Sequence, residues 1–314
     1  MYDIIIIGGG PAGLTAGLYG ARDKKKTLVI EKSVEGGQIT NTNDVENYPG
    51  APGISGIDLA FTIKDQAEKF GCQIVNDDII EVDLEGKIKK VKGKFDQYEG
   101  KVVIIAGGAS PRKIGVPGEE DFQGRGVSYC ATCDGAFYEG FEVYVVGGGD
   151  AAVEEAIYLT NFAKKVHIIH RRDELRASKD LQAKAFKNEK IDFIWNSQVT
   201  ELKGDKTLKE LYIKNNKSGD IEKITKDEPF GVFVFIGYVP ETEIYEGKIN
   251  MKDGYILTDE EMRTNIDGVF AAGDIRVKTV RQLTTAVGDG TIAAINAYKY
   301  IEEQEGTLYE GFNE

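Results

Sequence analysis

Residues that ligate metals or staple secreted folds are scarce in this chain, with three cysteines and two histidines among 314 residues. So few cysteines, in no framework pattern, fit a reducing compartment. Proline is scarce too, seven against 38 glycines, which points to many tight strand-to-helix turns rather than to disorder or a collagen-like repeat. No stretch approaches the roughly 20 apolar residues of a membrane span. The apolar run that follows Asp3 is too short for a signal peptide, and no Lys or Arg precedes it. Basic residues are in deficit: 39 Lys and Arg against 52 Asp and Glu leave a net charge of -13. That balance argues against a nucleic-acid backbone as partner and disfavours anionic membrane surfaces. The chain reads as soluble and cytoplasmic. What it has in quantity is apolar residues, 41%, and length enough for about two domains.

Residues 2–7 form a nearly unbroken apolar, β-branched run, the pattern of a strand buried on both faces of a parallel sheet. It enters Gly8-Gly9-Gly10-Pro11-Ala12-Gly13, followed by a helix-like segment to about Arg22. This is G-x-G-x-x-G with a strand before it and a helix after it. Gly8 allows the turn, Gly10 lets backbone approach a pyrophosphate, and Gly13 lets helix and strand pack closely. The helix N-terminus then presents partial positive charge to phosphates. A second strand over 27–30 ends in Glu31, placed to accept hydrogen bonds from a ribose diol. Two glycine- and amide-rich loops follow, Glu35-Gly36-Gly37-Gln38-Ile39-Thr40 and Val45-Glu46-Asn47-Tyr48-Pro49-Gly50, where a ligand longer than AMP would extend. Residues 56–70 read as a helix, Cys72 as a buried strand residue, 74–100 as an antiparallel meander with one wet face, and 102–106 as a further buried strand.

A second unit begins after a linker over 111–117. The apolar strand over 141–146 enters Gly147-Gly148-Gly149-Asp150-Ala151-Ala152 and a helix to about Asn161, repeating the first motif with Ala152 in the third glycine's place. The next strand, 166–169, ends in His170-Arg171-Arg172, with Arg176 close behind. His170 stands at the same distance from Gly147 as Glu31 from Gly8. An acid there repels a 2′-phosphate, whereas arginine pairs with it through a planar fork. The two motifs therefore call for different ligands, and the second for NADPH rather than NADH. Residues 191–225 alternate like a second meander, and 230–237 is an apolar strand. Gly273-Asp274 closes a late strand with an exposed acid suited to a polyol hydroxyl, and Arg281-Gln282-Leu283 opens a last helix from Thr284 to about Ile301.

Between the two glycine motifs lies Cys130-Ala131-Thr132-Cys133-Asp134. A C-x-x-C pair either binds metal or cycles between dithiol and disulfide. A metal would want a second pair of ligands. Apart from this pair, the chain offers only Cys72, His167 and His170. The redox reading is favoured over the metal reading and over two unrelated cysteines in a turn, and the position between two dinucleotide motifs decides for it.

Taken together, these stretches resemble the low-molecular-weight, flavin-dependent thioredoxin reductases along essentially the whole chain. Cys-Ala-Thr-Cys-Asp between two nucleotide motifs is the specific feature; the glycine motifs are shared by two-dinucleotide flavoproteins generally. The resemblance implies an α/β fold of two Rossmann-like nucleotide-binding domains, each a parallel sheet with an antiparallel meander. Residues 1–114 and 246–314 would hold FAD, and 115–245 would hold NADPH and carry the cysteines. For FAD it implicates Gly8, Gly10, Pro11, Ala12, Gly13, Glu31, Gly37, Gln38, Asn47, Gly273, Asp274, Arg281 and Gln282. For NADPH it implicates Gly147, Gly149, Asp150, Ala151, Ala152, His170, Arg171, Arg172, Arg176 and Gly237. Cys133 would face the flavin, Cys130 would attack the partner disulfide, and Asp134 would carry the proton. Arg125 and Phe137 would meet thioredoxin. A homodimer is implied as well, and no metal. One departure is Ala106-Gly107-Gly108, where the family shows Ala-Thr-Gly.

The reaction so implied runs from NADPH through FAD and the Cys130–Cys133 disulfide to oxidised thioredoxin. One rigid arrangement serves all these contacts poorly, so 115–245 is expected to rotate against the rest, with hinges near 111–117 and 242–250. The rival readings are a reductase of another disulfide protein (glutaredoxin-like or a peroxiredoxin partner), a ferredoxin-driven relative, and a flavin-binding sensor without turnover.

Overall fold

The computed structural model describes residues 1–41, 45 and 47–307. The chain forms two compact units, Met1–Ser110 with Val239–Glu314, and Pro111–Tyr238. The first opens with β1 (Tyr2–Ile7), α1 (Pro11–Arg22) and β2 (Thr27–Glu31). It continues through α2 (Gly56–Lys69), β3 (Gln73–Asn76), β4 (Ile79–Asp83), β5 (Lys89–Gly93), β6 (Gln97–Ile105) and the short β7 (Ala109–Pro111). Strands β3, β2, β1 and β6 pair in parallel in that order. The early part of β6 pairs antiparallel with β5, and β5 with β4.

The isoleucine run explains the central position of β1. Ile4 and Ile6 enter one core, Ile5 and Ile7 another, because successive side chains of a strand point to opposite faces. Each fully buried isoleucine contributes about 1.5–3 kcal/mol over an exposed one. On one side lies α1, whose Pro11 at the first helical position has the φ a helix needs. A side chain on Gly13 would run into the Gly8 carbonyl oxygen, so this position sets how closely α1 lies on the sheet. Helix α2 is capped by Ser55, whose Oγ accepts from the Asp58 N–H at 3.1 Å.

The second unit contains β8 (Val127–Ser128), α3 (Ala131–Asp134), β9 (Glu142–Gly147), α4 (Asp150–Leu159) and β10 (Lys165–Ile169). After α5 (Lys179–Lys187) come β11 (Ile191–Ile194), β12 (Ser197–Gly204), β13 (Leu208–Asn215), β14 (Ile221–Thr225) and β15 (Phe230–Phe235). A parallel sheet runs β11-β10-β9-β15-β8, and β12-β13-β14 form a separate antiparallel sheet. The chain returns through β16 (Tyr238–Pro240), which pairs with β7. It then forms β17 (Met251–Lys252), β18 (Tyr255–Ile256), β19 (Val269–Ala271), parallel on β6, and α6 (Leu283–Glu305).

Several boundaries differ from the sequence reading. Residues 73–76 and 191–194 are not the starts of meanders but outer strands of the parallel sheets, pairing with β2 and β10. An outer strand is half-exposed, so it alternates in hydrophobicity as an antiparallel strand does. Cys72 is buried but lies just before β3, and α6 runs four residues past Ile301, to Glu305. In the stretch 242–250, expected as a hinge, Tyr245 is 1% exposed and Ile249 5%, both packed in the first unit's core with Ile5 and Val103. Likewise Ile114 and Val116 pack on the second unit's core. The crossings therefore fall at 110/111 and 238/239, earlier than the expected 114/115 and 245/246. Within the second amide-rich loop, Glu46 lies outside the described residues.

Candidate active site

In the first unit the glycine loop and the loop after β2 meet. The Gly36 N–H donates to the Gly9 carbonyl at 2.8 Å, and a Cβ on Gly37 would lie 3.3 Å from the Gly10 Cα. Among the described residues no side chain caps α1, whose N-cap is Gly10, and beyond its chain neighbours nothing stands within 4 Å of the place where a Gly10 Cβ would be. Pro11, Ala12 and Gly13 form the first turn behind it. The result is an open cradle at a positively polarised helix end, suited to a phosphate. Glu31 is buried, and its carboxylate accepts from the Gly9 N–H at 2.6 Å and the Ser33 N–H at 3.0 Å. Ser33 Oγ donates to it as well, at 3.2 Å, so of a carboxylate's roughly four acceptor sites about one remains for a ribose hydroxyl.

The polar residues farther along fall into two groups. Asp274, in the short turn after Gly273, has a buried Oδ1 with no partner among the described residues, and the Arg281 Nε is likewise buried and unpartnered among them while its guanidinium lies 4.4 Å over the Tyr255 ring. Buried polar atoms are seldom left unmade, so these two fit a ligand that supplies a hydroxyl and an acceptor. Burial raises the Asp274 carboxyl above its usual range, opposed by Lys278 and Arg281. The second group is more engaged. Gln38 Nε2 donates to Ser110 Oγ at 3.3 Å, and Asn47 Nδ2 to Gln282 Oε1 at 3.2 Å. The Gln282 side chain also accepts from the third residue of α6 in a capping box. Thus α6, unlike α1, is capped by a side chain. At the departure from the family pattern, a side chain on Gly107 would meet Ile275 Cδ1 at 3.3 Å.

The second unit repeats the cradle. Among the described residues no side chain caps α4 at Gly149, and only Arg176 Nη2, at 3.9 Å, approaches a would-be Gly149 Cβ. Ala152 is fully buried behind the loop; Asp150 and Ala151 are exposed, and Asp150 Oδ1 accepts from the Ser178 N–H at 2.6 Å. The Arg176 N–H donates to the Gly148 carbonyl at 2.7 Å, which folds the arginine turn back over the glycines. Arg171, Arg172 and Arg176 are exposed around a cavity of 410 Å³, and among the described residues none of the three pairs with a carboxylate. His170 behaves differently. It is 5% exposed, its ring fills the space beside Gly148, and its Nε2 has no partner among the described residues. Desolvation lowers its pKa, opposed by backbone hydrogen bonds at Glu174 and Gly147, and Arg176 and Arg172 lower it further. Gly237 lies at the end of the unit, where its carbonyl accepts from the Arg112 N–H.

Cys130 and Cys133 form a disulfide across the first turn of α3. The Cys133 N–H donates to Cys130 Sγ at 3.2 Å, a contact that favours thiolate at Cys130 once the bond opens. Asp134 closes the turn, and burial raises its carboxyl, opposed by a hydrogen bond from Ser128 Oγ at 2.6 Å. A carboxyl so placed can hold a proton nearer neutrality than an exposed one. Exposed Phe137 follows α3, and exposed Arg125 precedes β8, where its Nη2 donates to the Asp121 carbonyl. Among the described residues no group of His, Cys, Asp and Glu could hold a metal ion, and no helix is long and apolar enough to cross a membrane.

Two contributors escaped the sequence reading. Ser128 also accepts from the Cys130 N–H at 3.1 Å and so ties the redox turn to β8; no pattern marks it. Glu119 is 1% exposed and accepts from the Ile114 and Gly115 N–H groups and from Tyr129 Oη, binding the segment after β7 to the residue before Cys130.

The family model for pyridine nucleotide-disulphide oxidoreductases matches residues 2–290. A thioredoxin reductase of Peptoclostridium acidaminophilum is 55% identical over 96% of this chain and 98% of its own. One from Bacillus subtilis is 50% identical over 98% and 97%. The crystal structure of thioredoxin reductase from Streptococcus pyogenes matches with a TM-score of 0.91 at 49% identity, covering 96% of this chain and 99% of that one. With both glycine cradles and the disulfide among the residues so matched, the chain belongs to the pyridine nucleotide-disulphide oxidoreductases.

Proposed function

We propose that this protein is a thioredoxin-disulfide reductase that uses FAD and NADPH. The observation that carries the reading is the Cys130–Cys133 disulfide at the head of α3, with the raised carboxyl of Asp134 in the same turn. A metal-binding or merely structural pair would need no such proton carrier. The first cradle, with Asp274 and Arg281, suits FAD, and the second, with Arg171, Arg172 and Arg176, suits NADPH. The unpaired arginines favour a phosphorylated pyridine nucleotide over a ferredoxin as the electron source.

When bound, the flavin and nicotinamide supply the two-electron chemistry that opens the disulfide. The chain's residues do the rest. Opening Cys130–Cys133 takes two electrons and two protons, one of them delivered by Asp134, and the dithiol so formed gives up the Cys130 proton before attack. Cys130, held as thiolate by the Cys133 N–H, attacks a sulfur of the partner's disulfide, forming a mixed disulfide and releasing a partner thiolate. Cys133 then attacks Cys130, re-forms the disulfide and frees the partner as a dithiol, with the protons returned. Exposed Phe137 and Arg125 would present an apolar and a cationic contact to thioredoxin beside the cysteines. A rotation of the second unit about β7 and β16, a homodimeric state and a cytoplasmic setting complete the proposal.

The test is rapid mixing. Anaerobic protein carrying bound flavin should be bleached by NADPH and recover its colour when oxidised thioredoxin is added. Bleaching without recovery, with recovery on another disulfide protein such as a glutaredoxin-like one, would reassign the partner. No bleaching would defeat the reading.

A further inference from the structure

Opposite the arginine turn, the second unit brings a residue from far along the chain. The tip of the β13–β14 hairpin is shaped by Asn215, whose Oδ1 accepts from the Lys217 and Ser218 N–H groups at 2.9 and 3.1 Å. This tip does not hang free. The Asn216 N–H donates to the Asn196 carbonyl at 2.6 Å and Asn216 Nδ2 to the Arg171 carbonyl at 3.2 Å, while the Asn196 N–H donates to the Arg172 carbonyl at 3.1 Å. Asn196 takes a left-handed φ of 52° to do so, a conformation asparagine tolerates better than most residues. These bonds fix Lys217 at the wall of the cavity that Arg171, Arg172 and Arg176 line.

We propose that Lys217 is a further specificity residue of this cavity, a cation that pairs with the 2′-phosphate of the nucleotide and that Asp173 holds until the phosphate arrives. The inference rests on the NADPH reading above. Lys217 Nζ lies 2.8 Å from Asp173 Oδ2, and both side chains are 66% exposed. Exposed pairs are weak and exchange readily, so a phosphate monoester, carrying close to two charges at neutral pH, out-competes one carboxylate for the ammonium. Arginines grip such an oxygen set in planar forks, and lysine adds a mobile point charge on the remaining side. Asp173 is also a cavity wall residue. Paired with Lys217 it presents little net charge; alone it would repel the phosphate.

Binding of adenosine 2′,5′-bisphosphate and of 5′-AMP to the full chain, measured by calorimetry, tests this without turnover. Lys217→Gln should weaken the bisphosphate on the order of threefold to tenfold while 5′-AMP changes less than about twofold, and Lys217→Arg should restore most of the loss. Asp173→Asn should tighten the bisphosphate by about twofold to threefold. An equal effect of Lys217→Gln on both ligands, or none on either, overturns the inference. If Arg172→Gln weakens the bisphosphate and Lys217→Gln does not, Lys217 is excluded while the NADPH reading stands. If the unaltered chain shows no preference for the bisphosphate over 5′-AMP, both fall.

Discussion

Alanine at Gly10 and, separately, at Gly13 distinguishes space kept for a ligand from space needed for packing within one loop. Gly10 has φ -74° and ψ -178°, a conformation any residue adopts, and among the described residues beyond its chain neighbours no atom lies within 4 Å of an added Cβ. Gly10→Ala should therefore leave the flavin-free chain as stable as before or stabilise it by about 0.4–1 kcal/mol, through the entropy of the unfolded state. The same methyl occupies the approach to the phosphate, where overpacking costs about 1–3 kcal/mol, equivalent to roughly 5- to 150-fold in flavin affinity. At Gly13 the Cβ would run into the Gly8 carbonyl, so α1 must move. Gly13→Ala should cost the flavin-free chain about 1–3 kcal/mol and lower its Tm by a few degrees for each. Urea unfolding of flavin-stripped protein, with flavin titration by absorbance, measures both terms. Equal destabilisation by the two variants, or full flavin affinity in Gly10→Ala, would refute the assignment of the open space to a ligand.

Three further outcomes are expected. Cys133→Ser should still be bleached by NADPH, yet thioredoxin turnover should fall at least about a thousandfold, the scale of loss for a nucleophile that has no substitute; retained turnover would break the assigned relay. Burial raises the Asp134 carboxyl, so the folded chain holds that proton more tightly than the unfolded one. Its stabilising share is complete below the unfolded value of about 3.9 and is lost as pH rises through the folded value. Asp134→Asn should accordingly be more stable than the parent at neutral pH, with the gain vanishing on acidification towards pH 4, as read from urea midpoints; a gain that grows on acidification would contradict the cause given. Cys72 is 5% exposed and burial pushes its thiol up to about 12. Alkylation of the reduced native chain at pH 8 should therefore label Cys130 and Cys133 and spare Cys72 until the chain unfolds; mass spectrometry of the labelled protein decides it.

Much of the fold was legible because its signals are local. The isoleucines of β1, the glycine turns and Pro11 act within a few residues of themselves, and the C-x-x-C spacing closes within one turn. The errors came where one local pattern serves two environments. Strands β3 and β11 alternate like meander strands because each has an exposed edge, though both pair in parallel. Residues 242–250 read as a hinge because nothing in their sequence announces that Tyr245 and Ile249 fill the first unit's core.

Sequence by itself determined the repeated strand–glycine–helix plan, the redox pair between the two copies, and the contrast of Glu31 with His170, Arg171 and Arg172. Each follows from residue type and spacing along the chain, which folding cannot alter. Tertiary structure alone decided that His170 is buried while the arginines stay open, that Asp274 and Arg281 keep hydrogen bonds unmade among the described residues, and that Ser128 holds Asp134. It alone brought Lys217 to the arginine turn through Asn216 and Asn196. Burial, pKa and hydrogen-bond partnership depend on which distant segments pack together, and the linear order of residues does not encode those distances in any pattern of a few positions.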